Sequence, residues 1–168
     1  MLATRHLIEL GHRRIGFLAG RPDLESARLR ESGFRQALAD AGLTAEPDLV
    51  RVGDYRHDSA RGQAAELLAL ADRPTAIFAA NDLSAIGTME VAQERGFVVP
   101  RDLSVIGFDD IPESASTTPT LSTVHQPIQA MGAAAIHLLA ALMDGTAVES
   151  THVQLPTSLV RRGSTGPR

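Results

Sequence analysis

The stretch Arg73-Pro74-Thr75-Ala76-Ile77-Phe78-Ala79-Ala80-Asn81-Asp82 decides the architecture. Its unbroken apolar run, Ala76 to Ala80, reads as a strand buried on both faces, as strands inside a parallel sheet are. The run then turns polar. Asp82 reads as the N-cap of a helix that continues to Arg95, with Gly96 beyond it as the stop. Strand, polar turn and helix together form the repeating unit of a parallel α/β fold.

The same unit recurs on both sides. Ile15 to Ala19 and Leu103 to Phe108 are nearly continuous apolar runs, while Leu49 to Val52 alternates more and is predicted nearer an edge. Helical spacing fills the gaps. A leading helix runs from Leu2 to Leu10 and ends at Gly11. A second, Ser26 to Ala41, places Ala27, Phe34, Ala37, Leu38 and Ala41 on one stripe before Gly42, and a third spans Asp58 to Ala71. The order α-β-α-β-α-β-α-β predicts a parallel sheet with right-handed crossovers. After Phe108 the pattern changes. Asp109 to Pro119 reads as a loop and Leu121 to His125 as a short strand. Pro127 then opens a helix to about Asp144 with Ile128, Met131, Ala135, Leu138 and Leu142 on one face. Val153 to Leu155 and Ser158 to Arg161 read as closing strands, and the tail from Gly163 as frayed.

A chain of 168 residues suits one domain or a substantial piece of a larger one, and can bury a sizeable core. Hydrophobic residues make up 43% and charged residues 21%, which argues against wholesale disorder. Cysteine is absent, so disulfides, thiolate catalysis and cysteine-based metal sites are excluded. All 16 basic residues are Arg, which excludes a Schiff-base lysine and a phosphate-loop lysine; biased genomic composition accounts for this without a function. With a net charge of −4 and no basic run longer than two residues, the chain shows no nucleic-acid footprint. The apolar stretches, longest around Ala133 to Met143, fall short of the roughly 20 residues that span a bilayer. The N-terminus leads into an amphipathic stretch rather than a signal peptide, so a soluble, cytoplasmic protein is expected.

In open α/β sheets, ligands bind beyond the carboxyl ends of the strands. Those ends read Gly20-Arg21, Gly53-Asp54-Tyr55, Asn81-Asp82 and Asp109-Asp110. Ordinary turn and cap chemistry favours the same residues, so turn and pocket both remain open. Arg30 is the sharpest observation. It lies between Ala27 and Phe34 on an apolar stripe, near a helix N-terminus where the dipole disfavours a cation. Such a guanidinium needs a carboxylate partner, such as Asp109, or a ligand with several acceptors. Tyr55, the only tyrosine, could stack on a sugar or base, or could lid the local core. The sequence has no G-x-G-x-x-G, phosphate-loop, G-x-S-x-G or H-E-x-x-H motif, and its six His residues are scattered without metal-ligand spacing. Asp109-Asp110 is similar to the acidic cluster of receiver domains, but the acidic pair after the first strand and the later Lys are lacking. No catalytic constellation, cofactor or metal is implied.

Taken together, several motifs resemble the effector-binding core of LacI/GalR-type transcriptional regulators. They are Gly11-His12-Arg13-Arg14-Ile15-Gly16-Phe17, Ser26-Ala27-Arg28-Leu29-Arg30-Glu31-Ser32-Gly33-Phe34, Arg73 to Asp82, Asp102 to Ile111, Pro119 to Val124 and Leu155 to Arg162. The resemblance runs from about Ala3 to Ser164 and covers only the C-terminal portion of that core. It implies a partial α/β, parallel-sheet, periplasmic-binding-protein type I-like subdomain built of Rossmann-like βαβ units. Residues 1–120 would form the C-terminal subdomain, and 121–146 a crossover strand and helix belonging to the N-terminal subdomain. Residues 147–164 would form the returning strands and 165–168 a tail. The helix from Pro127 would then lack much of its usual partner, leaving its stripe exposed, rearranged or buried in another copy.

The resemblance places effector contacts at Ser26, Arg30, Tyr55, Asn81 and Asp109, with Arg30 and Asp109 gripping hydroxyls. Leu24 stands where purine-responsive members carry a basic residue, which leans toward a carbohydrate. A homodimer is expected through Ile86, Met89 and the Thr117-to-Leu121 segment, with DNA bound only by a helix-turn-helix head outside this sequence. Two rivals are a solute-binding protein of a transport system, which would carry a secretion signal, and an enzyme on a doubly wound fold.

Overall fold

A computed structural model describes residues 1–148 and 150–168. Glu149, within the stretch expected to hold the returning strands, lies outside the described residues. The elements follow the expected alternation: α1 (Leu2–Glu9), β1 (Ile15–Ala19), α2 (Glu25–Asp40), β2 (Val50–Val52), α3 (His57–Leu68), β3 (Ala76–Ala79), α4 (Asp82–Glu94) and β4 (Ser104–Ile106). β5 (Thr123–His125), α5 (Ile128–Met143) and β6 (Ser158–Val160) complete the order, with short 3-10 turns at Pro47–Leu49 and Pro112–Ala115.

The four parallel strands lie in the order β2-β1-β3-β4, with β2 at the edge as its alternating sequence predicts. The apolar runs are continuous because both faces of the sheet are covered. Ile15, Phe17 and Ala19 of β1 face α1 and α2, with Phe78 of β3 and Phe34 of α2. Leu18 and Ile77, one residue out of phase, face Ala64 and Leu67 of α3 and Ala85 and Met89 of α4. Phe17 stacks on Phe34 at 4.7 Å between ring centres, which locks α2 to the sheet.

Four expectations change on the structure. The N-cap of α4 is Asn81 rather than Asp82: its side-chain oxygen accepts from Ser84 N at 3.0 Å, and Asp82 becomes the first helical residue, fully buried. Val153 to Leu155 forms no strand, and the antiparallel partner of β5 is β6 alone. Met89 and Leu121, expected at a dimer contact, are buried in the chain's own core, and Ile86 packs against it half-buried.

The tail is docked rather than frayed. Ser164 is fully buried; its hydroxyl donates to Val105 O at 2.6 Å and accepts from Ser122 N at 2.8 Å. Buried His12 contacts Thr75 Oγ1 at 2.9 Å through one ring nitrogen, and Ser104 Oγ at 3.0 Å and Gly166 O at 3.1 Å through the other. His6 meets Thr165 Oγ1 at 3.0 Å. Burial holds both imidazoles below the ordinary histidine pKa.

α5 is the exception to this packing. None of its residues is buried, and Ile136, Leu139 and Met143 are among its most exposed side chains. Within this chain its apolar stripe lies at the surface.

Candidate functional site

The carboxyl ends of β3, β4 and β5 meet a single side chain, Arg30, from the second turn of α2. Its Nη1 donates to Ala80 O, just past the end of β3, at 2.8 Å. Its Nη2 donates to Asp109 Oδ1 at 3.2 Å and to Gln126 Oε1 at 3.3 Å. The guanidinium lies over the Phe108 ring at 4.1 Å and reaches the Tyr55 ring at 5.6 Å. Among the described residues this occupies three of the five guanidinium N–H groups, so donors remain for a ligand. The carboxylate reading of Arg30 is therefore met, and its place in a cleft leaves the clamp reading standing beside it.

Arg30 and Asp109 are mostly buried, with 14% and 22% of their side chains exposed. Burial pushes the Asp109 carboxyl above its ordinary value, and Arg30 only partly offsets this. Asp109 also holds a left-handed backbone, φ 115°, which is uncommon for a residue with a side chain. Its neighbour Asp110, φ 62°, turns elsewhere. Asp110 accepts from Arg162 Nη2 at 2.7 Å and meets His125 Nδ1 at 3.0 Å. Although burial pushes its carboxyl up, those two partners outweigh burial and hold it below the usual carboxylate range.

Arg30 opens onto a cleft of about 600 Å³ that Ser26, Phe108, Gln126, Pro127 and Met131 also line. That size suits a small ligand. Ser26 is exposed at its rim. Tyr55 lies half-buried against the α1/α2 side of the core, with φ 68° and, among the described residues, no hydrogen-bond partner for its buried hydroxyl. Its ring covers Gly20 so closely that a Cβ there would overlap it. Asn81 stands behind it: Nδ2 donates to Tyr55 O at 3.0 Å while Oδ1 caps α4, so both ends of the amide are engaged. The structure thus joins Arg30 to Asp109, brings Tyr55 to the guanidinium and Ser26 to the same cleft, and sets Asn81 as the support of Tyr55.

Sequence reasoning missed Gln126, Phe108 and Asp82. Gln126 carried a usable signal, being the last polar residue after an apolar strand and before a helix-opening proline. Phe108 was hidden because it reads as the end of a buried strand, and Asp82 because it reads as a cap.

Fold and cleft define the class: a doubly wound α/β unit, strand order β2-β1-β3-β4, with a cleft lined by Arg30, Phe108 and Gln126 beyond the carboxyl ends of its strands. Comparison with known proteins makes this specific. The periplasmic binding protein-like domain family matches residues 4–165. The HTH-type transcriptional repressor PurR of Aliivibrio salmonicida is 41% identical over 138 residues, 82% of this chain and 41% of that protein. The transcriptional regulator CelR in complex with cellobiose superposes with a TM-score of 0.92 at 37% identity, covering 96% of this chain and 49% of that one. The lac repressor dimer bound to operator and the anti-inducer ONPF gives 0.90 at 36% identity, covering 98% and 57%. The chain belongs to the periplasmic binding protein-like domain family, as part of the core of a LacI/GalR-type regulator. It spans 41% to 50% of the length of the PurR relatives it matches.

Proposed function

We propose that this chain is the effector-sensing part of a LacI-type transcriptional regulator, and that its effector is a small polyhydroxylated molecule of the sugar class. The observation that carries this reading is the Arg30–Asp109 pair over the Phe108 ring in a half-buried cleft. A guanidinium and a carboxylate side by side supply donors and acceptors to adjacent hydroxyls, and aromatic rings cover the C–H face of a sugar. The cellobiose complex of a structural neighbour supports the sugar class. Ser26 and Gln126 add hydrogen bonds at the rim, and Asn81 acts through Tyr55.

Effector binding changes the closure of two subdomains through differential affinity for the two states, and a DNA-binding head reads that closure. Self-association through the α4 face that carries exposed Leu83 and half-buried Ile86 fits the dimeric state of the lac repressor neighbour. A cytoplasmic location follows from the same reading; no helix among the described residues is long and apolar enough to cross a membrane. The relatives named as repressors weigh against the transporter reading.

Calorimetric titration of the intact regulator with cellobiose, D-glucose, D-galactose, fructose 1-phosphate and hypoxanthine tests the proposal. The expected result is saturable binding of a sugar that Arg30→Ala and Asp109→Ala each abolish. Binding confined to hypoxanthine overturns the sugar class, and a sugar affinity unchanged in both variants overturns the site.

A further inference from the structure

Asp82 is the one fully buried carboxylate with no basic partner among the described residues. It projects from the first turn of α4 into the junction of three elements. Oδ1 accepts from the Thr123 hydroxyl of β5 at 2.5 Å, and Oδ2 accepts from Ile111 N at 2.9 Å. Gly107 passes so close that a Cβ there would overlap Oδ1, so the loop after β4 is shaped around this carboxylate. The same loop carries Asp109, whose own N–H and carbonyl bond only to β5 and the residue after it, Val124 O and Gln126 N.

We propose that Asp82 is a positioning residue of the effector site: it ties the Gly107–Ile111 loop to β5, so that Asp109 stays opposed to Arg30. This rests on the effector reading for its purpose and on the hydrogen bonds alone for its mechanics. A carboxylate suits the task because it accepts from several donors at once, where an amide offers one oxygen. It also carries a cost. Burial drives the carboxyl up to about 6 despite the donations from Thr123 and Ile111, and the Asp109 carboxylate, the charged group facing it from the loop, adds to the rise. From β5 it meets only the neutral Thr123 hydroxyl, and the Asp110 carboxylate is engaged by Arg162 and His125. Opening the loop returns this carboxyl to water and relieves the burial that raises it, so the closed loop is held more firmly below pH 6 and loosens as Asp82 ionises.

Amide hydrogen exchange by NMR on the chain without ligand, between pH 5 and 7.5 and corrected for intrinsic rates, tests this. In Asp82→Ala, protection of Ile111 is expected to fall about tenfold or more, the equivalent of one hydrogen bond to a charged acceptor. Phe17 and Phe78 in the sheet keep theirs in proportion to global stability. In the wild type, Ile111 protection rises as pH drops through about 6. Thr123→Val removes one donor that lowers the carboxyl, so it moves that midpoint to higher pH; this variant decides the matter if Asp82→Ala does not fold. Equal loss at every amide, or an Ile111 profile without a midpoint in the wild type and Thr123→Val, overturns the proposal. The effector reading fails separately, when no panel compound binds the intact regulator while the loop responds as stated.

Discussion

Replacing Asp82 by Asn removes a buried charge while keeping the side chain's shape, and its effect on stability can be worked from the structure. The folded carboxyl titrates at about 6 against an ordinary 3.8. Because the folded value is the higher one, the stability Asp82 contributes is fully present below pH 3.8 and is lost as pH rises through 6. The gap corresponds to about 3 kcal/mol in all, of which about 1.3 kcal/mol falls between pH 5 and 7. The histidines act in the opposite sense. His6 and His12 sit below 6.5 in the fold, so their contribution is present above pH 6.5 and is lost as pH falls toward their folded values. The wild-type profile mixes the two, but the difference between wild type and Asp82→Asn cancels the histidine part. Urea unfolding at pH 5, 6, 7 and 8 should show the Asn variant gaining about 1.3 kcal/mol on the wild type from pH 5 to 7, then levelling. Its altered hydrogen bonds add only a constant offset. Parallel profiles for the two proteins would refute the reasoning.

Further consequences follow from single contacts. His12→Ala removes the buried ring that Thr75, Ser104 and the Gly166 carbonyl share, and urea unfolding should register a loss of about 2 kcal/mol. Gly20→Ala pushes a methyl group into the Tyr55 ring; with no Trp present, fluorescence of this only tyrosine should become more open to iodide quenching. Leu142→Lys on the exposed face of α5 should change the stability of this chain by no more than about 0.5 kcal/mol, since the side chain is half exposed and no α5 residue is buried; a loss several times larger would mean that the face is covered.

The order of elements was legible because each run is tuned to its surroundings. Ala76 to Ala79 is apolar at every position since α1 and α2 cover one face and α3 and α4 the other. Arg30 was legible as a charge out of place on an apolar stripe, and the structure pairs it with the carboxylate named for it, Asp109. What escaped was long-range and polar. Gly163 to Arg168 looks loose by composition, yet its hydroxyls and carbonyls find Val105, Ser122, His12 and His6 from distant parts of the chain. Asn81 and Asp82 are interchangeable as caps by propensity. Their roles separate only because Thr123 and Ile111 arrive beside the second of them. Gln126 carried a local signal, but its meeting with Arg30 depends on the long-range placement of β5 beside β4.

The central claim is that Arg30 and Asp109 grip a polyhydroxylated effector against Phe108. Its most direct test is an NMR titration of the intact regulator with cellobiose, following the Arg30 Nε–H signal and the Phe108, Asp109 and Gln126 amides. Those signals should shift together and saturate, and Arg30→Ala should erase the response. Saturable shifts that avoid these residues, or that persist unchanged in Arg30→Ala, would contradict the account.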